Sequence, residues 1–179
     1  MSAGRKNTSI KKDWNTPPKY VQAVLDVFGN VDLDPCSNHF SLMPAVNKFT
    51  LPVNGLEQSW NYPKIYVNPP YGRDSQNGTS LYDWIEKGVF THDQFDSELI
   101  YLIPVATNTR HFKQFIFKRF TCICFLEDTR LKFYNEGKED AKGAPMACCM
   151  CYIGRRHINK FIEIFSQYGK CLLLEQPLV

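Results

Sequence analysis

The run Leu99-Ile100-Tyr101-Leu102-Ile103-Pro104-Val105 limits the fold more than any other stretch of the chain. A strand this apolar throughout must be buried on both faces, which calls for a sheet covered by helices on each side. Shorter runs at 31–34, 65–67, 121–126, 147–153 and 171–174 also read as strands. Between them the apolar spacing changes to that of helices. Val21, Val24, Leu25 and Phe28 fall at i, i+3, i+4 and i+7, and Ile158, Phe161, Ile162 and Phe165 form a second such face. Residues 81–90 and 107–120 also read as helices, the latter with Phe112, Phe115 and Ile116 facing inward. Strands alternating with helices predict an α/β domain with a mostly parallel sheet and helices on both faces. A chain of 179 residues fits one such domain. Its expected limits are 14–179, preceded by a flexible basic segment at 1–13.

Finer features follow from turn chemistry. Thr16-Pro17-Pro18 predicts a helix start, with Thr16 as N-cap and Pro17 in the first helical position, and Gly29 ends that helix. Residues 36–60 are broken by Pro44, Pro52 and Gly55, with a short helix expected near 41–46 and a short strand near 48–51. Residues 72–80 read as a mobile polar loop and 132–143 as a charged loop.

The strongest chemical signal is Asn68-Pro69-Pro70-Tyr71-Gly72, directly after the apolar run Ile65-Tyr66-Val67. In open α/β sheets ligands sit at the carboxyl ends of strands. The amine on a nucleobase is a poor nucleophile because its lone pair is delocalised into the ring. The Asn68 side-chain oxygen and the Pro69 carbonyl can each accept one N–H of such an amine and aim its lone pair at a methyl donor. The two prolines stiffen the loop, and Tyr71 offers a flat face for a planar substrate. The bland reading of the same residues is a proline-rich turn leaving a strand. Asp34-Pro35-Cys36 ends another strand in the same way; Asp34 reads as a ligand contact or a turn aspartate.

Other features bear on what the chain does not do. Seven cysteines, an odd number without an apolar leader, argue against a disulfide framework, and their spacings do not match zinc sites. Those in apolar runs read as small buried hydrophobes. His39, His92, His111 and His157 show no metal spacing, and Trp60 and Trp84 read as packing residues. No apolar run approaches the roughly 20 residues that span a bilayer, so a cytoplasmic protein without membrane or metal partners is expected. The net charge of +3 permits a nucleic-acid partner. Basic clusters at Arg5, Lys6, Lys11 and Lys12 and at Arg155, Arg156 and Lys160 either neutralise phosphates or form solvated faces.

Taken in order, Trp14 to Pro18, Leu33 to Cys36, Asn54-Gly55-Leu56 with Trp60, Val67 to Gly72, Leu102-Ile103-Pro104 with Thr107 and Thr109, and Arg130 to Phe133 resemble the small phage-type DNA adenine methyltransferase (Dam) family. The resemblance runs from about Asp13 to Ile153. It implies a Rossmann-like fold, S-adenosylmethionine as cofactor, and methylation of adenine N6 in double-stranded DNA. The target base would be flipped out of the duplex, because its amine is otherwise paired. Asn68, Pro69, Pro70 and Tyr71 would be catalytic. Thr16 would hold the cofactor carboxylate and Asp34 its amino-acid end, flanked by Trp14, Pro17, Pro35 and Cys36. Asn54 stands where many relatives carry an acid that bonds the cofactor adenine. Tyr71, Gly72, Arg73 and Lys132 would meet the substrate. Phe133 is a second aromatic wall against the base or a core phenylalanine. A chain this short lacks room for a large recognition domain, so short or relaxed sequence specificity is expected, read by loops 72–80 and 132–143. The same chemistry suits RNA or a protein glutamine, and a binding module that keeps the fold without turnover is the contrasting class.

Overall fold

The computed structural model describes residues 14–128 and 130–174. The basic segment expected at 1–13 lies outside them. Seven strands form the central sheet: β1 (Leu33–Asp34), β2 (Asn47–Lys48), β3 (Lys64–Val67), β4 (Glu98–Pro104), β5 (Cys122–Leu126), β8 (Cys148–Ile153) and β9 (Gly169–Leu173). Two more, β6 (Tyr134–Asn135) and β7 (Lys138–Glu139), make a separate hairpin. The sheet order is β2-β1-β3-β4-β8-β5-β9. The β2, β1, β3 and β4 neighbours pair in parallel, while β8 runs antiparallel to both β4 and β5, and β9 antiparallel to β5. Five of the seven strands therefore share one direction.

Strand β4 shows why the apolar run dictates this architecture. Ile100 and Leu102 pack into the core beneath helices α1 (Pro18–Phe28) and α4 (Ile158–Phe165). Leu99, Tyr101 and Ile103 pack on the opposite face, beneath α2 (Leu81–Phe95) and the helical stretch at 112–119. Each large side chain so buried contributes about 1.5–3 kcal/mol relative to exposure. The expectation of helices on both faces of a mostly parallel sheet holds.

Local chemistry moves several boundaries. The first helix begins at Pro18, with Pro17 as its cap, not at Pro17 with Thr16 as cap. A residue before proline is pushed toward extended backbone, and Pro17 accordingly has ψ 145°, so Pro18 delays the helix by one position. No helix forms at 41–46, where Pro44 interrupts, and the strand expected at 48–51 is the two residues of β2. The helix expected at 107–120 is a π-helical turn, Phe112–Ile116, leading into the short α3 (Phe117–Arg119). Phe112, Ile116 and Phe120 are fully buried at intervals of four. Phe115, expected to face inward, is only half-buried.

Helix α2 runs to Phe95, five residues beyond the expected end, and starts from a capping box in which Asp83 accepts the Ser80 N–H at 2.7 Å. The charged loop contains the β6–β7 hairpin. Glu136 and Gly137 both adopt positive φ, as a two-residue turn between twisted strands requires. Loop 72–80 is organised by Asp74, whose backbone bridges to Thr79 and whose carboxylate accepts from the Gln76 N–H at 2.9 Å. Among the described residues no helix is long and apolar enough to cross a membrane.

Candidate active site

Strands β1 and β3 are parallel, with Leu33 opposite Ile65, so Asp34 and Asn68 emerge together at their carboxyl ends. Trp14, Thr16, Asp34, Cys36, Tyr66 and Asn68 line a small cavity there, closed by Pro69, Pro70 and Tyr71. A larger cleft of about 810 Å³ adjoins it, sharing Cys36, Ser37, Asn38 and Pro70. That volume lies in the range of roughly 300–1,000 Å³ typical of small-molecule sites. Pro35, Asn54, Gly72 and Arg73 line the larger cleft. The structure thus gathers most of the candidate residues around one continuous depression, including the distant segments at 14–16, 34–36, 54 and 68–73, while Pro17, the cap of α1, lies outside both linings.

Asn68 is held from behind. Its Nδ2 donates to the Trp14 carbonyl at 2.8 Å and to Thr16 Oγ1 at 3.3 Å. A carbonyl only accepts, so this bond fixes which end of the amide is nitrogen and turns Oδ1 the other way. Tyr71 Oη lies 3.1 Å from Asn68 Oδ1 and 3.1 Å from the Leu102 carbonyl. One phenolic proton serves two equidistant acceptors, so either can take it.

Asp34 is 4% exposed. Burial pushes its carboxyl up to about 6, while the Cys36 N–H and the Ser41 hydroxyl pull it back. The Cys36 N–H and the Ser41 hydroxyl each stand 3.3 Å from its oxygens. These contacts are long for hydrogen bonds to a carboxylate, which leaves Asp34 able to take a better partner. Trp14 Nε1 and Ser37 Oγ, both on cavity-lining residues, are buried without a hydrogen-bond partner. Orphaned donors and a poorly satisfied carboxylate fit a zwitterionic ligand whose polar groups would complete them.

Several expected contacts are placed differently. Phe133 is 1% exposed, and its ring stacks on Trp14 at 5.0 Å and 9°. It is a core phenylalanine supporting Trp14, with no free face for a base. Tyr71 meets Trp14 and Phe133 edge-on, at 6.1 Å and 5.9 Å. Lys132 is exposed and pairs with Glu139 across the hairpin base. The Asn54 carbonyl oxygen Oδ1 accepts the Leu56 N–H at 3.1 Å, and its amide donates to Glu57, so the side chain caps its own turn. Gly55 follows because a Cβ there would lie 1.8 Å from the Pro35 carbonyl. Trp60 and Trp84 are buried with rings 6.0 Å apart, although Trp84 also reaches the larger cleft.

The late basic cluster is remote. Arg155 and Arg156 follow β8, beside Glu98 at the amino end of β4, so they stand across the length of the sheet from Asn68. Arg156 pairs with Asp96, and Lys160 pairs with Glu163. Five of the seven cysteines are buried, as expected for strand residues. Among the described residues no group of three or more His, Cys, Asp or Glu side chains is arranged to hold a metal.

Tyr66 and Asn15 were not anticipated. Asn15 forms an antiparallel bridge with Tyr134, with bonds of 2.8 and 2.9 Å, and ties the β6–β7 hairpin to the segment that orients Asn68. Tyr66 carried a usable signal: a phenol between Ile65 and Val67 in a buried strand must find a partner for its hydroxyl.

The model of the DNA N-6-adenine-methyltransferase (Dam) family matches the chain over residues 4–176. No curated protein matches it.

Proposed function

The chain belongs to the Dam family of DNA N-6-adenine-methyltransferases, and we propose that it uses S-adenosylmethionine to methylate the N6 amine of adenines flipped out of duplex DNA, with short or relaxed sequence specificity. The observation that carries the reading is the Asn68 amide. The Trp14 carbonyl fixes its nitrogen, so its oxygen faces the Tyr71 hydroxyl beside the cavity.

When bound, the cofactor supplies an activated methyl group on a sulfonium. Asp34 would hold its ammonium, Thr16 its carboxylate, and the 810 Å³ cleft its nucleoside. An entering adenine amine would donate one N–H to Asn68 Oδ1 and the other to the Pro69 carbonyl. The Tyr71 hydroxyl would then direct its hydrogen bond wholly to the Leu102 carbonyl, already 3.1 Å away. The two oxygens would stabilise the positive charge on nitrogen as it takes the methyl group from the sulfonium, which leaves as a neutral thioether, and the surplus proton would pass to solvent. Fixed acceptors aimed at a developing charge are the catalytic device. Base recognition would rest on Tyr71 and Arg73, and sequence reading on loop 72–80 and the β6–β7 hairpin.

The test is incubation with tritiated S-adenosylmethionine and separate DNA, RNA and protein substrates, followed by nucleoside and amino-acid analysis. Label in N6-methyladenine from duplex DNA is expected. Label confined to RNA or to glutamine would reassign the substrate. Cofactor binding without transfer to any of them would make the chain a binding module.

A further inference from the structure

We infer that Tyr66 is a positioning residue for the carboxylate of the cofactor, acting through Thr16. The inference rests on the reading that Thr16 holds that carboxylate. It starts from the donors and acceptors around one oxygen. Thr16 Oγ1 lies 2.6 Å from Tyr66 Oη and 3.3 Å from Asn68 Nδ2. An amide nitrogen can only donate, so the Asn68 contact fills one lone pair of the threonine oxygen. Tyr66 is 1% exposed and Thr16 5% exposed, so bulk water does not complete either hydroxyl. A phenol is the stronger donor of the two, and the weaker acceptor because its lone pair is shared with the ring. The proton between them therefore belongs to Tyr66, which fills the second lone pair.

With both acceptor positions taken, Thr16 keeps one free capability: its own proton, directed away from Tyr66 and Asn68. Thr16, Asp34 and Tyr66 line the same cavity. The helix head cannot replace this donor cheaply, because Pro17 and Pro18 have no N–H and an ordinary helix start would offer both. Tyr66 thereby turns an ambivalent hydroxyl into a donor facing an anion. Accepting two bonds also polarises the hydroxyl and strengthens the bond it gives.

The test compares two ligands that share the adenosyl group, S-adenosylhomocysteine and 5′-methylthioadenosine; only the first has a carboxylate. Calorimetry is run on the wild type, Tyr66→Phe, Thr16→Val and the double variant, with melting temperatures alongside. Tyr66→Phe should weaken S-adenosylhomocysteine about three- to tenfold, the size of one ordinary hydrogen bond, and leave 5′-methylthioadenosine unchanged. In the Thr16→Val background the same change should cost nothing further. Equal weakening of both ligands, additive losses in the double variant, or no effect of Tyr66→Phe while Thr16→Val weakens S-adenosylhomocysteine would each overturn the inference and leave the Thr16 reading standing. Thr16→Val with both affinities unchanged would instead remove the Thr16 reading, and the inference with it.

Discussion

Replacing Asp34 with asparagine should make the ligand-free protein more stable at neutral pH while weakening its hold on the cofactor. Burial lifts the Asp34 carboxyl from its ordinary value near 3.8 to about 6. Each tenfold change in proton affinity is worth about 1.36 kcal/mol, so the ionised carboxylate costs the folded state about 3 kcal/mol at pH 7.5. Asparagine removes that cost. It keeps one acceptor oxygen and forfeits about 1 kcal/mol where the other oxygen met Ser41 or Cys36. A net gain of about 1–2 kcal/mol remains. The sign with pH follows from proton binding. Between 3.8 and about 6 the folded state holds a proton on Asp34 that the unfolded chain has released. This group therefore adds stability as pH falls through that window, and costs stability above it. Asparagine has no such dependence.

Urea unfolding of both proteins, without ligand, at pH 7.5 and pH 5.0 measures the difference directly. The variant should be the more stable at pH 7.5, and its advantage should vanish or reverse at pH 5.0. Taking the difference between two otherwise identical chains cancels the other carboxylates. On the same samples S-adenosylhomocysteine should bind about 10- to 100-fold more weakly to the variant, the scale of one lost charge-assisted bond. A variant less stable than the wild type by the same amount at both pH values would refute the argument, because it would make Asp34 an ordinary turn aspartate.

Asn68→Ala should lower the methylation rate about 100- to 1,000-fold, by analogy with removing one preorganised hydrogen-bonding group; Asn68→Asp should be milder because an acceptor oxygen remains, and initial rates on duplex DNA compare the two. Glu98→Gln should cost about 2–4 kcal/mol in urea unfolding and leave S-adenosylhomocysteine affinity unchanged. Burial alone would raise the Glu98 carboxyl, but bonds from Tyr152, His157 and the Arg156 N–H outweigh it and hold it low. Its stabilisation is therefore present above the ordinary carboxylate range and lost as pH falls through the lowered value. Single-molecule sequencing of DNA from expressing cells should find methylated adenines in many contexts or in a site of very few bases; a long fixed site would show that loops are not the reader.

The parts legible in the sequence were those set by periodicity and by strand ends. Leu99 to Ile103 alternate between two buried faces, which no pattern other than a covered sheet allows. Asn68 and Asp34 were identifiable because polar residues directly after apolar strands fall where sheets bind ligands. Their partners were not, because Trp14, Thr16 and Leu102 reach Asn68 and Tyr71 across 31 to 54 residues of sequence. Phe133 shows the limit most clearly. An aromatic in a charged loop can face a substrate or a neighbour, and only the stacking on Trp14 decides between them. The π-helical turn was hidden for a similar reason: the spacing of Phe112, Ile116 and Phe120 suits one face of any helix and does not distinguish an α turn from a π turn.

The two ends of the sheet differ in how far their buried polar groups are satisfied. At the amino end of β4, Glu98 is 1% exposed and accepts from the Tyr152 hydroxyl at 2.6 Å, from two backbone N–H groups at 2.9 and 2.5 Å, and from His157. Four donors on one buried carboxylate leave nothing for a ligand and hold α4, β4 and β8 together. At the carboxyl ends of β1 and β3 the arrangement is the opposite. Asp34 has long contacts, Trp14 Nε1 and Ser37 Oγ have no partner, and Tyr71 divides one proton between two acceptors. Each of these shortfalls costs the empty protein free energy that a ligand of matching polarity would return. Saturating S-adenosylhomocysteine should therefore raise the unfolding midpoint of the wild type by more than that of Asp34→Asn, whose empty site has less to recover.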